Sequence, residues 1–164
     1  MATPPLPLRF VLSGARVEDL PPTRGEVAIV GRSNVGKSSL INAIANRKGL
    51  AKVSKTPGRT QLLNLFELPD GTSVLDLPGY GFANAPKANV DAWSQLNLNY
   101  LRRRPKLKRV FTLIDSRRGI GDVDIGVMEQ LDSAAVQYQV VLTKTDKIKK
   151  SEVAEVIAAT KDRK

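Results

Sequence analysis

Apolar residues follow two different spacings along the chain from Gly25 onward. Short runs rich in Val, Ile and Leu, which are typical of strands, occur in EVAIVG, RVFTLID and YQVVLT. Amphipathic helical spacing is found in SSLINAIANRK, VDAWSQLNLNYLRRR, DVDIGVMEQLDS and KSEVAEVIAATKDR. Strands separated by helices of this length predict an α/β fold whose largely parallel sheet carries helices on both faces.

Local signals place the ends of two of these helices. The first helix has one apolar stripe, formed by Leu40, Ile41, Ile44 and Ala45. Gly49 is well placed to stop it, because glycine adopts the left-handed conformation that often ends a helix. The second helix has a core face formed by Trp93, Leu96, Tyr100 and Leu101. Pro105 follows and is expected to end it.

The remaining segments predict a hairpin, an extension and two loops. LLNLFEL and TSVLD flank the turn residues PDG and predict a β-hairpin. Residues 1–24 are rich in proline and predict an N-terminal extension with a short strand around Arg9–Leu12, while residues 25–164 predict one domain. The long polar segments LAKVSKTPGRTQ and LPGYGFANAPKAN call for a functional reason, since connections in small domains are usually short.

Composition removes several kinds of chemistry. The 164 residues include no Cys and no His, which excludes Cys/His zinc sites, histidine-dependent triads and thiol redox chemistry. No apolar run approaches the length of a membrane span, and the N-terminus does not have the pattern of a secretory signal. We therefore expect a cytoplasmic protein with no membrane association. Lys and Arg number 26 against 16 acidic residues, a net charge of +10, which favours polyanionic partners or else a merely soluble basic surface.

One segment between a strand and a helix has the phosphate-loop pattern G-x-x-x-x-G-K-[ST]. It consists of Gly31, Arg32, Ser33, Asn34, Val35, Gly36, Lys37 and Ser38. Glycines let successive backbone N–H groups point into one concavity, and the helix start adds its own free N–H groups. Lys37 can reach the β- and γ-phosphates of a nucleotide, and Ser38 can offer its hydroxyl oxygen to Mg²⁺.

A second segment, VLDLPG, supplies D-x-x-G at the end of a strand through Asp76, Leu77, Pro78 and Gly79. Asp76 lies 39 residues beyond Lys37 and can hold a metal ion through water. The N–H of Gly79 can approach a terminal phosphate. Alone this pattern is weak, but its position behind a phosphate loop makes it strong.

A third segment, LTKTDK, follows a strand and contains Thr143, Lys144, Thr145 and Asp146. Guanine presents an N1–H and a 2-amino group side by side, and the carboxylate of Asp146 can accept both. Adenine lacks this pair of donors, which argues against an adenine-using P-loop kinase. The alternative is a Thr/Asp cap at a helix start.

A fourth segment, KTPGRTQ, lies between the first helix and the hairpin. Its candidate nucleotide contacts are Gly58, Arg59, Thr60 and Gln61, and the residue after the segment, Leu62, is a further candidate. Thr60 follows Ser38 by 22 residues and can add a second hydroxyl to Mg²⁺ and sense the γ-phosphate. The alternative is an ordinary loop threonine.

Together, GRSNVGKSSLINAI, SKTPGRTQLLNLFEL, DLPGYGFA and LTKTDK resemble the EngB-type (YihA/YsxC) GTPases of the Era-like (TrmE-Era-EngA-EngB) group, from Phe10 to Lys164. The resemblance implies a three-layer α/β/α P-loop NTPase fold (a G domain) with a mostly parallel, mixed sheet. It implies GTP hydrolysis during assembly of the large ribosomal subunit, with links to cell division and septation. The implied ligands are GTP or GDP and Mg²⁺, the ion being held by Ser38 and Thr60.

Two features depart from the wider GTPase pattern. The guanine motif reads T-K-x-D where most GTPases have N-K-x-D, so we expect modest affinity. The family continues beyond Lys164 with a strand, a Ser-containing loop against guanine and a last helix. We therefore expect the last strand and helix to be missing from this chain, with weaker guanine binding and an exposed sheet edge.

Hydrolysis is expected to be slow, because Tyr80 stands where many GTPases carry a water-positioning glutamine. Asn34 occupies the position at which cation-dependent members of the Era-like group coordinate K⁺, which predicts K⁺ stimulation. Lys37, Thr60, Gly79 and Asn34 are thus the candidate catalytic groups, with Arg59 a weaker candidate. A GTP/GDP-sensing ribosome-binding module with negligible hydrolysis is the alternative.

The segment RRRPKLKR, residues 102–109, has six basic residues in eight. It either complements the dipole at a helix end or contacts ribosomal RNA. Aromatic residues make up only 5% of the chain, which favours phosphate contact without base stacking. We expect a monomer that binds a large-subunit precursor.

Overall fold

The computed structural model describes residues 4–51, 62–80 and 97–163. Strands in these ranges are β1 (Arg9–Gly14), β2 (Gly25–Gly31), β3 (Leu63–Glu67), β4 (Thr72–Asp76), β5 (Leu107–Asp115) and β6 (Tyr138–Thr143). Helices are α1 (Lys37–Ala45), α2 (described over residues 97–103), α3 (Asp122–Ser133) and α4 (Lys150–Arg163). Short 3₁₀ turns cover Val17–Asp19 and Thr145–Lys147.

The six described strands form one mixed sheet in the order β1-β3-β4-β2-β5-β6. Strand β2 runs parallel to β4 and β5, and β5 runs parallel to β6. Strand β3 runs antiparallel to β1 and to β4. The predicted hairpin, N-terminal strand and mixed sheet are therefore confirmed. Because β2, β4, β5 and β6 are parallel, their carboxyl ends meet at one edge, where α/β folds bind ligands.

Both faces of the sheet are covered, as the three-layer prediction requires. On β2, Ala28 and Val30 belong to one core cluster and Ile29 to another, as the alternation of side chains along a strand dictates. The first cluster takes in α2 and α3 through Tyr100, Leu101, Val127 and Leu131. The second takes in α1 through Ile41 and Ala45, together with Leu8 of the N-terminal segment.

One predicted boundary is wrong. Helix α1 ends at Ala45, four residues before Gly49. Asn46 adopts the left-handed conformation, with φ 50° and ψ 44°, and its N–H bonds to the carbonyls of Ala43 and Asn42. Asparagine tolerates this conformation better than most residues and so replaces glycine as the stop. Helix α2 ends before Pro105, as predicted, while Trp93 and Leu96 lie outside the described residues.

A buried charge cluster lies at the opposite edge of the sheet, at the start of β2. Glu26 is 2% exposed and accepts hydrogen bonds from Arg104 Nη2 at 2.8 Å, from Ser73 Oγ at 3.1 Å and from the hydroxyl of Tyr100. Arg104 also donates to the carbonyl of Pro21 at 3.0 Å. Burial, reinforced by the Glu26 carboxylate, raises the pKa of Tyr100 well above its ordinary value. The cluster ties α2 to the sheet far from the ligand-binding edge.

Helix α4 lies over residues 150–163 as predicted, and none of its residues with a described side chain is buried. Strand β6 pairs with β5 on one side only among the described strands. None of the helices in the described ranges combines the length and apolar character needed to cross a membrane.

Candidate functional site

The phosphate loop joins the end of β2 at Gly31 to the start of α1 at Lys37. Asn34 and Gly36 have positive φ angles of 64° and 115°, which turn the loop tightly. A Cβ at Gly31 would lie 2.6 Å from Val35 Cγ1, so only glycine fits there. Gly36 precedes α1 without a side-chain cap, which leaves the first N–H groups of the helix to bind an anion.

Asp76, at the end of β4, faces this loop. Its Oδ1 lies 3.6 Å from Lys37 Nζ, and the two side chains are only 10% and 13% exposed. That oxygen is buried without a hydrogen-bond partner among the described residues. Burial raises the pKa of Asp76, although Lys37 and Asn64 act in the opposite direction. A desolvated carboxylate oxygen without a donor is suited to hold the water shell of a cation.

The donors present fit Mg²⁺. Ser38 is the second residue of α1, and Asp76 supplies the carboxylate nearby. Within the described ranges no three Asp, Glu, His or Cys side chains cluster as a metal cage would require. Mg²⁺ commonly needs no such cage, since it takes few protein ligands and completes its shell with water and phosphate oxygens.

The D-x-x-G segment lies directly on the phosphate loop. The N–H of Ser33 donates to the carbonyl of Tyr80 at 2.8 Å, and the N–H of Tyr80 donates to the carbonyl of Gly31 at 3.2 Å. A Cβ at Gly79 would lie 3.1 Å from Ser33 Cα, so this close approach of two backbones favours glycine. Two other predicted contacts, Val35 and Leu77, have side chains buried in the core, which leaves only their backbones for a ligand.

The side chain of Tyr80 has a partner that sequence reasoning missed. Its hydroxyl donates to Asp124 Oδ1 at 2.5 Å, and the two residues are 2% and 1% exposed. Burial and the Asp124 carboxylate raise the pKa of Tyr80. The hydroxyl is thus directed into α3. The only feature of the sequence that pointed to Asp124 was its position as an acidic residue in the first turn of a predicted helix.

The segment predicted to bind the base also packs on the phosphate loop. Thr143 Oγ1 donates to the carbonyl of Val35 at 2.7 Å, and Lys144 Nζ donates to the carbonyl of Asn34 at 2.7 Å. The side chain of Asp146 is 77% exposed and so open to a ligand. The 3₁₀ turn Thr145–Lys147 has no side-chain cap, so the capping alternative is not seen at that turn.

Asp115, at the end of β5, supports this segment and was also missed. It accepts hydrogen bonds from Nε and Nη2 of Arg117 at 3.1 and 2.8 Å, and Lys144 Nζ lies 3.6 Å from its Oδ2. The Arg117 guanidinium is the main reason that the pKa of Asp115 falls to about 2. The carboxylate of Asp146 is among the charges that raise the pKa of Arg117, so this arginine lies within electrostatic reach of the predicted base contact.

The fourth predicted segment is largely outside the described residues. Gly58, Arg59, Thr60 and Gln61 fall there, and their roles, including Thr60 as a metal ligand, stay predictions. Leu62 is described and half-buried immediately before β3. Three motifs from distant parts of the sequence therefore meet at one edge of the sheet.

Comparison with known proteins agrees with this arrangement. The family model described as 50S ribosome-binding GTPase matches residues 26–144. The chain is 54% identical to the "Probable GTP-binding protein EngB" of Chelativorans sp. (strain BNC1), covering 94% of this chain and 73% of that protein. It is 52% identical to the protein of the same name from Rhizobium johnstonii, covering 96% and 77%.

Solved structures lead to the same family. A crystal structure of a probable GTP-binding protein EngB has a TM-score of 0.64 and 25% identity, covering 83% of this chain and 80% of that one. The Aquifex aeolicus Era structure bound to GDP and AlF₄⁻ has a TM-score of 0.61 and 25% identity, covering 85% and 47%. The chain belongs to the 50S ribosome-binding GTPase family and, within it, to the EngB-type GTP-binding proteins.

Proposed function

We propose that this protein is a slow GTPase that acts as a molecular switch in assembly of the large ribosomal subunit. The observation that carries the proposal is the convergence of two distant segments, the D-x-x-G segment and the segment after β6, on the phosphate loop. Lys144 bonds to Asn34, Tyr80 bonds to Gly31 and Ser33, and Lys37 pairs with Asp76. The residues proposed to contact the base, the terminal phosphate and the metal ion therefore all border one phosphate loop.

Each segment has a defined task in this proposal. Backbone N–H groups between Ser33 and Ser38 bind the phosphate oxygens, and the Lys37 ammonium neutralises part of their charge. Ser38 and Thr60 would hold Mg²⁺, with Asp76 acting through water, and the ion would supply positive charge to offset that of the phosphates. Asp146 accepts the N1–H and 2-amino hydrogens of guanine.

Slow hydrolysis follows from the hydrogen bonding of the Tyr80 side chain. Its hydroxyl donates to Asp124 beneath the loop, so it does not orient the attacking water. Charge stabilisation then has to come from another source, and we propose K⁺ held at Asn34, an exposed residue of the phosphate loop. The same tyrosine favours the second candidate, a GTP/GDP sensor with negligible hydrolysis. Phosphate release in a single turnover distinguishes the two.

The test of nucleotide choice is competition for a fluorescent GDP analogue. GTP should displace the analogue and ATP should not. Asp146→Ala should abolish that preference with phosphate affinity retained, because it removes only the acceptor for the guanine hydrogens. The exposed Asp162, in α4, provides a control: Asp162→Ala removes the same charge and should change nothing. Equal displacement by GTP and ATP would refute guanine selection.

The proposed partner is ribosomal RNA of a large-subunit precursor, bound through a basic surface by a cytoplasmic monomer. The basic residues at 102–109 do not all remain available to a partner. Arg104 forms an ion pair with the buried Glu26, and Arg103 forms one with Glu18. Lys106 and Lys108 are exposed, and their ammonium groups suit phosphate contact. A link to septation is carried over from the EngB family as part of this proposal.

Co-sedimentation with subunit precursors in GTP, GDP and nucleotide-free states tests the partner. Lys106→Glu with Lys108→Glu should weaken binding at least tenfold and flatten its dependence on salt. The matched control is Lys48→Glu with Lys161→Glu, which changes the net charge equally at two other exposed positions. Equal losses in both double variants would show that only net charge matters.

A further inference from the structure

We propose that Tyr80 and Asp124 are positioning residues for GTP hydrolysis: their bond beneath the phosphate loop fixes the backbone of Gly79 where its N–H meets the terminal phosphate. The inference rests on the proposed GTPase function and deepens it. It assigns a task to the side chain that replaces the water-positioning glutamine and to an acidic residue outside the four recognised motifs.

The backbone around Gly79 has very little freedom. Tyr80 uses both its N–H and its carbonyl to bond to Gly31 and Ser33, at 3.2 and 2.8 Å. Gly79 itself approaches so closely that a Cβ would lie 3.1 Å from Ser33 Cα and 3.2 Å from Ser33 N. The direction of the Gly79 N–H is therefore set by where Tyr80 is held.

The side chain of Tyr80 provides a third point of attachment. Its hydroxyl lies 2.5 Å from Asp124 Oδ1, and Asp124 Oδ2 accepts the N–H of Gly121 at 2.8 Å. That carboxylate lies in the first turn of α3, where the helix dipole favours negative charge. The helix is itself fixed in the core by Val127 and Leu131. A chain of direct contacts thus runs from a packed helix to the peptide unit beside Gly79.

A basic residue of the phosphate loop, Arg32, also lies beside α3. A Cβ at Gly121 would lie 3.7 Å from Arg32 Nη1, so the guanidinium of this phosphate-loop residue lies over the N-terminus of α3. Arg32 therefore brings the phosphate loop itself close to the N-terminus of α3. A displacement of about 1 Å at a reacting group can cost about a hundredfold in rate, so an anchor one peptide unit away has a large effect.

The test compares Tyr80→Phe and Asp124→Asn with the wild type in single-turnover GTP hydrolysis and in GDP binding. Each substitution should lower the rate constant about tenfold, the value expected for one well-placed hydrogen bond, and leave the Kd for GDP within twofold. The double variant should lose no more than either single one, because both changes remove the same bond.

The protein provides a matched control. Tyr100 donates to the buried carboxylate of Glu26 at the opposite edge of the sheet, so Tyr100→Phe removes the same kind of bond away from the site. It should lower the Tm with the rate constant unchanged. Tyr80→Phe leaves Asp124 bonded to Gly121 and retains the aromatic ring. The backbone ¹⁵N chemical shift of Gly79 in the GDP complex provides a second measurement, because it reports on the backbone position directly.

The outcomes are distinct. A tenfold loss of rate with retained GDP affinity in Tyr80→Phe, and none in Tyr100→Phe, supports the positioning role. Wild-type turnover in Tyr80→Phe, with only the Tm lowered and the Gly79 shift unchanged, overturns it and leaves the GTPase proposal intact. Absence of GTP hydrolysis in the wild type overturns the GTPase proposal and this inference with it.

Discussion

Asp115 should contribute to stability over a defined range of acid pH, and Asp115→Asn should remove that contribution. In the folded protein its pKa is about 2, against an ordinary value of 3.8, chiefly because Arg117 donates hydrogen bonds to the carboxylate. A carboxyl group with a lowered folded pKa stabilises the protein above its unfolded pKa. The contribution is lost as the pH falls through the folded value. The window for this group is therefore from about pH 4 down to about pH 2.

The magnitude follows from the same pKa values. A fall from 3.8 to about 2 corresponds to at most ~2.5 kcal/mol. The Asp115 side chain is 10% exposed but that of Arg117 is 47% exposed, so solvent screens part of the interaction. A contribution of about 1 to 2 kcal/mol above pH 4 is the resulting expectation.

Urea unfolding of the wild type and Asp115→Asn between pH 7 and pH 2 measures this directly. The difference in the free energy of unfolding should stay constant down to pH 4 and shrink towards zero at pH 2. The large positive net charge acts on both proteins and cancels in the difference. Adding Arg117→Ala to Asp115→Asn should cost much less than Arg117→Ala alone, because the ionic partner is already gone.

A difference that persists unchanged at pH 2 would refute the reasoning, since a protonated Asp115 cannot act as an ionic partner. Additive effects of Asp115→Asn and Arg117→Ala on the free energy of unfolding would refute it as well. The same Asp115→Asn substitution removes one of the two contacts of Lys144, so GDP affinity should fall a few-fold at neutral pH.

Three other substitutions give sharp expectations. Gly31→Ala should lower nucleotide affinity at least tenfold and the free energy of unfolding by about 1 to 3 kcal/mol, because its Cβ would lie 2.6 Å from Val35 Cγ1. Gly126→Ala, within α3 and with nothing within 4 Å of its Cβ, should instead stabilise the protein by about 0.5 to 1 kcal/mol in the same urea titration. Glu26→Gln leaves the Arg104 guanidinium, only 10% exposed, without its charge partner, and should lower the free energy of unfolding by about 3 to 5 kcal/mol. An unfolding curve for Glu26→Gln that matches the wild type would show that the buried pair contributes nothing.

Regular elements were predictable wherever the apolar spacing was strong. Helices α3 and α4 have the predicted boundaries, and the hairpin of β3 and β4 forms around its PDG turn. The end of α1 was not predictable from glycine alone. Asn46 can adopt the same backbone conformation, and the local sequence offered two possible stops within four residues.

The candidate site also has parts that were predictable from the sequence and parts that were not. Phosphate-loop, D-x-x-G and base segments were visible because each is a short local pattern attached to the end of a strand. Two of the supporting contacts were not visible, because their partners are distant along the chain. Tyr80 and Asp124 are 44 residues apart, and Lys144 and Asn34 are 110 apart. The pairing of the strands and the packing of α3 on the sheet bring them together, and no local spacing encodes either.

The position of Lys144 has a mechanical consequence. Its ammonium group bonds to the Asn34 carbonyl and lies 3.6 Å from Asp115, so one side chain joins the segment after β6 to the phosphate loop and to the end of β5. A shift of any one of these three segments therefore strains a contact with the other two, and they are expected to move together rather than separately.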